Sequence, residues 1–263
     1  SRPFMSVIFD TDGHVARVTI DRAERMNAVD GETADKLESI WARIESDANI
    51  RAVVLTGSGE KAFSAGADMK SAGKAPTGVE YWANARPEGF GGLALRKSLH
   101  VPVIARVNGL AVGGGFEMVL GCDIVIAAEH ASFGLPEAKV GRMPLDGGMI
   151  LLPRLIPQKI AMGMLLTGRR ISATEGQQYG FVNEVVAADE LDNAVNRWVD
   201  EILECAPLSV KAIKECVKET GDLPVDEAYA RRLPDLIAAL DSEDADEGPR
   251  AFREKRKPVW QGR

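Results

Sequence analysis

The apolar positions of this chain fall into short blocks whose period changes along its length. Two runs, residues 6–9 and 15–20, flank Asp12-Gly13, a turn pair suited to positive φ, and predict an opening hairpin. Leu37, Ile40, Trp41 and Ile44 recur at helical spacing and predict an amphipathic helix over 30–44. Buried strands follow over 52–56, 101–107 and 124–128, with a short helix beginning over 116–120. Strands alternating with helices favour an α/β fold around a buried, mostly parallel sheet. Ser172-Ala173-Thr174-Glu175 is a capping box that opens a helix stopping near Gly180, and 182–186 returns as strand. Beyond residue 189 the period becomes wholly helical, with Leu191, Val195, Trp198, Val199 and Ile202 on one face, so the chain divides into 1–188 and 189–263. Residues 69–92, rich in Gly, Pro and Ala and weakly periodic, read as a mobile loop or short helices over a site. The acidic run 241–247 reads as a solvated helix junction.

A length of 263 residues fits one large domain, or one with an appendage. With 45% hydrophobic and 27% charged residues, and no apolar run near the ~18 that a membrane span needs, the composition is that of a globular protein. The net charge of -7 argues against a broad nucleic-acid or anionic-membrane surface, so any phosphate site must be local. Cys122, Cys205 and Cys216 are odd in number and show no CxxC spacing, which points to a reducing, cytoplasmic setting. No secretory signal is visible, and residues 1–4 read as an addition ahead of a native Met5. His14, His100 and His130 lie far apart without ligand spacing, so no metal site is expected.

Chemistry gathers in two glycine-bearing stretches. Phe63-Ser64-Ala65-Gly66-Ala67-Asp68 and Gly113-Gly114-Gly115-Phe116-Glu117 offer backbone N–H groups that no bulky side chain covers, and the second delivers a carboxylate two residues after its glycines. Another carboxylate, Glu137, follows in Phe133-Gly134-Leu135-Pro136-Glu137. Paired main-chain donors beside acids suit acyl chemistry through an enolate, because preorganised N–H dipoles hold the charge that develops on a carbonyl oxygen. Each feature alone has an ordinary structural reading. Glu117 could be a first-turn acid favoured by the helix dipole, Pro136 a helix opener, and the glycines an aid to tight packing. Those readings do not account for the three occurring together.

Other motifs carry less. Gly57-Ser58-Gly59-Glu60-Lys61-Ala62 matches the dinucleotide-binding GxGxxG/A pattern after a strand, but no sustained helix follows, so it reads as a surface turn. There is no GxSxG elbow, which makes Ser64 structural. Asp146, in Pro144-Leu145-Asp146-Gly147-Gly148, is either a turn former or a third carboxylate reaching a pocket.

With Val101-Pro102-Val103-Ile104-Ala105 ahead of the glycines, Cys122-Asp123-Ile124 after them and Leu166-Thr167-Gly168-Arg169-Arg170-Ile171-Ser172-Ala173 downstream, the chain resembles the enoyl-CoA hydratase/isomerase (crotonase) superfamily. The resemblance runs from Asn27 to Ala251-Phe252-Arg253-Glu254-Lys255, and within the family it is closest to enoyl-CoA hydratases and carnitinyl-CoA dehydratases. It implies a crotonase-type spiral of ββα turns followed by a C-terminal helical trimerisation region, assembled as a homotrimer or a homohexamer. It also implies that the N–H groups of Ala67 and Gly114 form an oxyanion hole and that Glu117 and Glu137 are the acid/base pair. Substrate and coenzyme A contacts are implied around Arg25, Met26, Ala65, Asp68, Met69, Lys70, Gly113, Pro136 and Asp146. Phe252 and Lys255 would approach the adenine end, from their own or from a neighbouring subunit.

The implied activity is reversible syn hydration of a 2-enoyl-CoA thioester, crotonobetainyl-CoA among the possible substrates. Coenzyme A enters as part of the substrate, and no separate cofactor, nucleic acid or membrane partner is expected. Asp146 departs from the small residue usual in simple hydratases of the family. Double-bond isomerisation and carbon–carbon hydrolysis run on the same scaffold, and non-catalytic coenzyme A-binding or RNA-binding relatives exist, so those alternatives stay open. Two glutamates favour hydration. The hydrolytic branch carries an Asp near position 146 but uses histidines where this chain has Glu137.

Overall fold

The computed structural model describes residues 5–70 and 76–263. The expected addition over 1–4 and part of the expected cover over 69–92 lie outside the described residues. Strands β1 (Val7–Asp12) and β2 (Val15–Ile20) form the predicted hairpin. Pairing continues until Asp12 faces Val15, so the turn is Gly13-His14, one position later than the sequence suggests, with Gly13 at φ 58. Helix α1 (Gly31–Ser46) opens on Asp30, whose carboxylate accepts the Thr33 N–H and satisfies one of the unpaired donors of the first turn. Its buried stripe is Thr33, Leu37, Trp41 and Ile44.

A repeating unit then sets in. Strand β3 (Ala52–Gly57) is followed by β4 (Ala62–Ser64) and α2 (Gly78–Ala83), and β5 (Val103–Val107) by β6 (Leu110–Val112) and α3 (Gly114–Gly121). Next, β7 (Ile124–Ala128) is followed by β8 (Ser132–Gly134), α4 (Gly148–Leu155) and α5 (Gln158–Thr167). Strand β9 (Ile171–Ser172), α6 (Ala173–Tyr179) and β10 (Glu184–Val186) complete the turns. The first strands β3, β5 and β7 enter a six-stranded sheet of order β1-β2-β3-β5-β7-β10, the second strands β4, β6 and β8 a four-stranded sheet of order β4-β6-β8-β9, and in the last turn the order is reversed, β9 joining the smaller sheet and β10 the larger. Within these sheets β2-β3-β5-β7-β10 and β4-β6-β8 run parallel. Successive units stack as a spiral, β3 pairing with β5 and β5 with β7 in the larger sheet while β4 pairs with β6 and β6 with β8 in the smaller.

Strand alternation feeds two cores. Val53 and Leu55 of β3 point into the large core with Leu37, Trp41, Phe63, Phe116 and Phe133, while Ala52 and Val54 point to the opposite face. That second face is covered by α7 (Leu191–Leu203) through Leu191, Ala194, Val195 and Val199. The predicted apolar stripe of this helix therefore packs on the sheet. Leu37 is fully buried, and truncating Leu37→Ala should cost about 2–5 kcal/mol of stability. A urea midpoint within error of wild type would contradict that placement.

The remaining helices are α8 (Pro207–Thr220), α9 (Val225–Ala230), α10 (Pro234–Leu240) and α11 (Glu243–Arg253). Here the expectation for 241–247 needs correction. Ser242 does cap a new helix, but Asp244 and Glu247 are buried, 3% and 7% exposed. Asp244 accepts the N–H groups of Gln261 and Gly262, and Glu247 accepts Val259 N–H and the Arg256 guanidinium. The two carboxylates pin the C-terminal tail back onto α11. Among the described residues no helix is long and apolar enough to cross a membrane.

Candidate active site

The first glycine-bearing stretch leaves β4 under tight control. Ala65 N–H donates to Met26 O, and Val29 pairs with the residues on either side of Ala67, donating to Gly66 O and accepting from Asp68 N–H. That bridge leaves the Ala67 N–H out of its pairing. Ser64 is buried and its Oγ accepts the Gly66 N–H, the structural role expected of it. The preceding turn, formally a GxGxxG, is braced by Asn27 and Asn108, which both donate to Ala62 O. No helix follows it, as the sequence suggested, and the short strand β4 stands there instead.

The second stretch opens α3. Gly113 donates to Gly134 O, and Gly114 is the first residue of the helix, where N–H groups lie outside the helical ladder. The two stretches touch. A methyl group on Gly66, at φ 89, would lie 2.7 Å from Gly114 N and 3.0 Å from Val112 O, and one on Gly114 would lie 2.3 Å from the Phe90 ring. Glycine is required at both positions for backbone to approach backbone and ring. All eight residues of α3 are buried, Glu117 included.

Glu117 is 3% exposed and its Oε2 accepts the Gly148 N–H at 2.8 Å. Burial pushes its carboxyl up to about 8, with the nearby charges of Asp146 and Glu137 adding to the rise. Glu137 opens a single-turn helix after Pro136, and a Cβ on Gly113 would lie 3.9 Å from its Oε2. Its Oε1 is buried without a hydrogen-bond partner among the described residues. Burial, reinforced by Asp146, raises this carboxyl too. An unpartnered buried oxygen is costly unless something else completes it.

Asp146 resolves as the third carboxyl. It is 7% exposed, and the Tyr81 hydroxyl donates to its Oδ2. Burial raises its carboxyl, and the bond from Tyr81 opposes the rise. Asp146 and Tyr81 line a cavity of about 180 Å³ together with Ala67, Phe90, Asp30 and Arg86. The Arg86 guanidinium is engaged by Asp35 at 2.7 Å.

The other expected site residues are spread more widely. Arg25 and Met26 sit in a single-turn helix and its left-handed cap, with Arg25 3.9 Å from Asp68. Asp68 pairs with Arg22 at 2.9 Å. Burial would raise its carboxyl, but the Lys70 N–H and Arg22 hold it below the ordinary value. Met69 and Lys70 are exposed beside it, and Phe252, 86% exposed, and Lys255 lie at the outer end of α11. Tyr81 and Phe90 escaped the sequence reading. A signal existed for the first, since Thr77-Gly78-Val79-Glu80 forms a complete capping box that opens α2 and ends one residue before it. His100, Glu215 and Asp235 come together away from this site, joined by His100 Nδ1 to Asp235 at 2.5 Å and Asp235 N–H to Glu215 at 2.8 Å.

The backbone segments that carry Ala67 and Gly114 thus approach each other, three carboxyls with raised proton affinity gather nearby, and Ala67 and Asp146 line an adjoining cavity. Residues 10–263 match the family model described as enoyl-CoA hydratase/isomerase. Carnitinyl-CoA dehydratase of Citrobacter koseri is 42% identical over 98% of this chain and 99% of its own length. Carnitinyl-CoA dehydratase of Salmonella agona is 43% identical over 96% and 97%. Among solved structures, enoyl-CoA hydratase from Mycobacterium tuberculosis superposes with a TM-score of 0.89 at 31% identity, covering 98% of this chain and 99% of that one. Enoyl-CoA hydratase from Bacillus anthracis gives 0.88 at 34% identity, covering 98% and 100%.

Proposed function

Because the chain belongs to the enoyl-CoA hydratase/isomerase family, we propose that it catalyses the reversible syn hydration of a 2-enoyl-CoA thioester, with crotonobetainyl-CoA as the favoured substrate. The observation that carries the reading is the approach of the Ala67 and Gly114 segments beside the buried Glu117 and the half-buried Glu137. In this reading the two amides donate to the thioester oxygen. Water oxygen bonds to C3 while one carboxylate takes a water proton, and the other carboxyl gives its proton to C2. The thioester oxygen carries the enolate charge between these events, and preorganised donors hold it at no reorganisation cost. Dehydration is the same path reversed.

Such a pair must hold one proton between them. Glu117 keeps its proton up to about pH 8 because burial disfavours its charge. Raising the pH past that value removes the proton, so kcat/KM should fall along an alkaline limb near pH 8. Activity still climbing beyond pH 9 would show that the acid is another group. The direct test follows loss of enoyl-thioester absorbance across acyl-CoA substrates, crotonobetainyl-CoA included. No turnover of any of them overturns the proposal.

The 189–263 region serves in this reading as the oligomerisation region of a homotrimer or homohexamer. Exposed Ile213, Val217, Val225, Tyr229, Ile237 and Leu240 on α8–α10 support it. Arg25, Met26 and Lys70, with Phe252 and Lys255, are the proposed contacts of the coenzyme A nucleotide. Free thiols at Cys122, Cys205 and Cys216 are in keeping with a cytoplasmic setting.

A further inference from the structure

Three carboxyls crowd the acyl side of the site, and none of Glu117, Glu137 and Asp146 takes part in an ion pair among the described residues. Hydration needs only two of them. The third, Asp146, comes from the turn whose Gly148 N–H anchors Glu117, so it sits next to the acid that serves the reacting carbons. Burying an additional carboxyl there raises the proton affinity of its neighbours, and a purely structural turn would be served as well by asparagine. Among the described residues that line the cavity, the guanidinium is that of Arg86, and it is engaged by Asp35. Tyr81 fixes the Asp146 carboxyl from α2, and the rings of Tyr81 and Phe90 line the same cavity. An anionic group flanked by aromatic faces is the arrangement that attracts a quaternary ammonium, which can neither donate a hydrogen bond nor lose its charge.

We propose that Asp146, positioned by Tyr81, is the specificity-determining residue that recognises a permanent cation on the carbon next to C3 of the acyl group. This rests on the hydration reading above. With C3 held between Glu117 and Glu137, a substituent on the adjoining carbon extends past Glu117 toward Asp146. The substrate then supplies Asp146 with the cationic partner that Arg86, paired with Asp35, does not give it, and Tyr81 keeps Asp146 oriented while its ring covers the methyl groups. A neutral acyl group of the same shape leaves the three carboxyls uncompensated.

The test compares crotonobetainyl-CoA with its all-carbon isostere, in which a tert-butyl group replaces the trimethylammonium, on the full-length protein and its Asp146→Asn and Tyr81→Phe variants. The readout is the ratio of kcat/KM for the two substrates. A change in folding or in Glu117 affects both substrates alike and cancels in the ratio, while thermal denaturation reports the fold separately. Wild type should prefer the cation, and Asp146→Asn should lower the ratio at least about tenfold, Tyr81→Phe shifting it in the same direction by less. An unchanged ratio in Asp146→Asn, or a wild-type preference for the neutral isostere, overturns the assignment while leaving hydration standing. Turnover of neither substrate by wild type, nor of any other enoyl-CoA, removes the hydration reading itself and the assignment with it.

Discussion

Replacing Glu117 by glutamine is expected to lower kcat for enoyl-CoA hydration about 10²–10⁴-fold, with KM changing far less. The substitution is nearly isosteric, and the amide oxygen of glutamine can go on accepting the Gly148 N–H that now bonds Oε2. What is lost is the ionisation that burial has moved up to about 8. Proton transfer is needed only as the bonds at C2 and C3 change, so the loss belongs to the transition state more than to the bound substrate. Glu137→Gln should behave similarly, since its buried Oε1 has no partner among the described residues to take over. Stopped assays with saturating substrate would measure both. A kcat within threefold of wild type in both variants would remove the acid/base pair.

Gly66→Ala is expected to reduce kcat/KM about 10²–10³-fold, the loss typical of one oxyanion donor. Two separate effects act at this residue. Its φ of 89 disfavours any side chain, and a methyl would press to 2.7 Å on Gly114 N, the proposed donor. Gly13→Ala separates them, because Gly13 shares a positive φ of 58 but its methyl would meet nothing within 4 Å. The Gly13 variant should lose some stability and keep its turnover, whereas the Gly66 variant should lose turnover even where it remains folded by circular dichroism. Full activity in Gly66→Ala would mean that the two segments do not jointly hold the thioester oxygen.

Local patterns were legible where local forces decide. The stripe of α1, its Asp30 cap, the capping box of α6 and the Gly180 stop all follow from residues within one or two turns of each other. The spiral was not legible that way. Pairings such as Val53 with Val103 and Arg106 with Ile126 join strands of separate units, and no periodicity inside one strand names its partner. Resemblance supplied that order. For the same reason the acids of α11 were misread, since the groups that bury Asp244 and Glu247 arrive from the tail, at Gln261, Gly262, Val259 and Arg256. At the site, Glu117 and Glu137 could be singled out because each sits beside glycine or proline punctuation. Tyr81 could not, because its meaning depends on Asp146, sixty-five positions on.

Helix α3 carries Gly114 at its first residue and Glu117 on the same turn, and every side chain between is enclosed. Anything that rotates or slides this element moves the amide and the acid as one piece. Selection for a new reaction would therefore find little freedom there. The segments that bear Glu137, Asp146 and Tyr81 lie outside this helix, which makes them the natural points at which descendants of this scaffold diverge in chemistry.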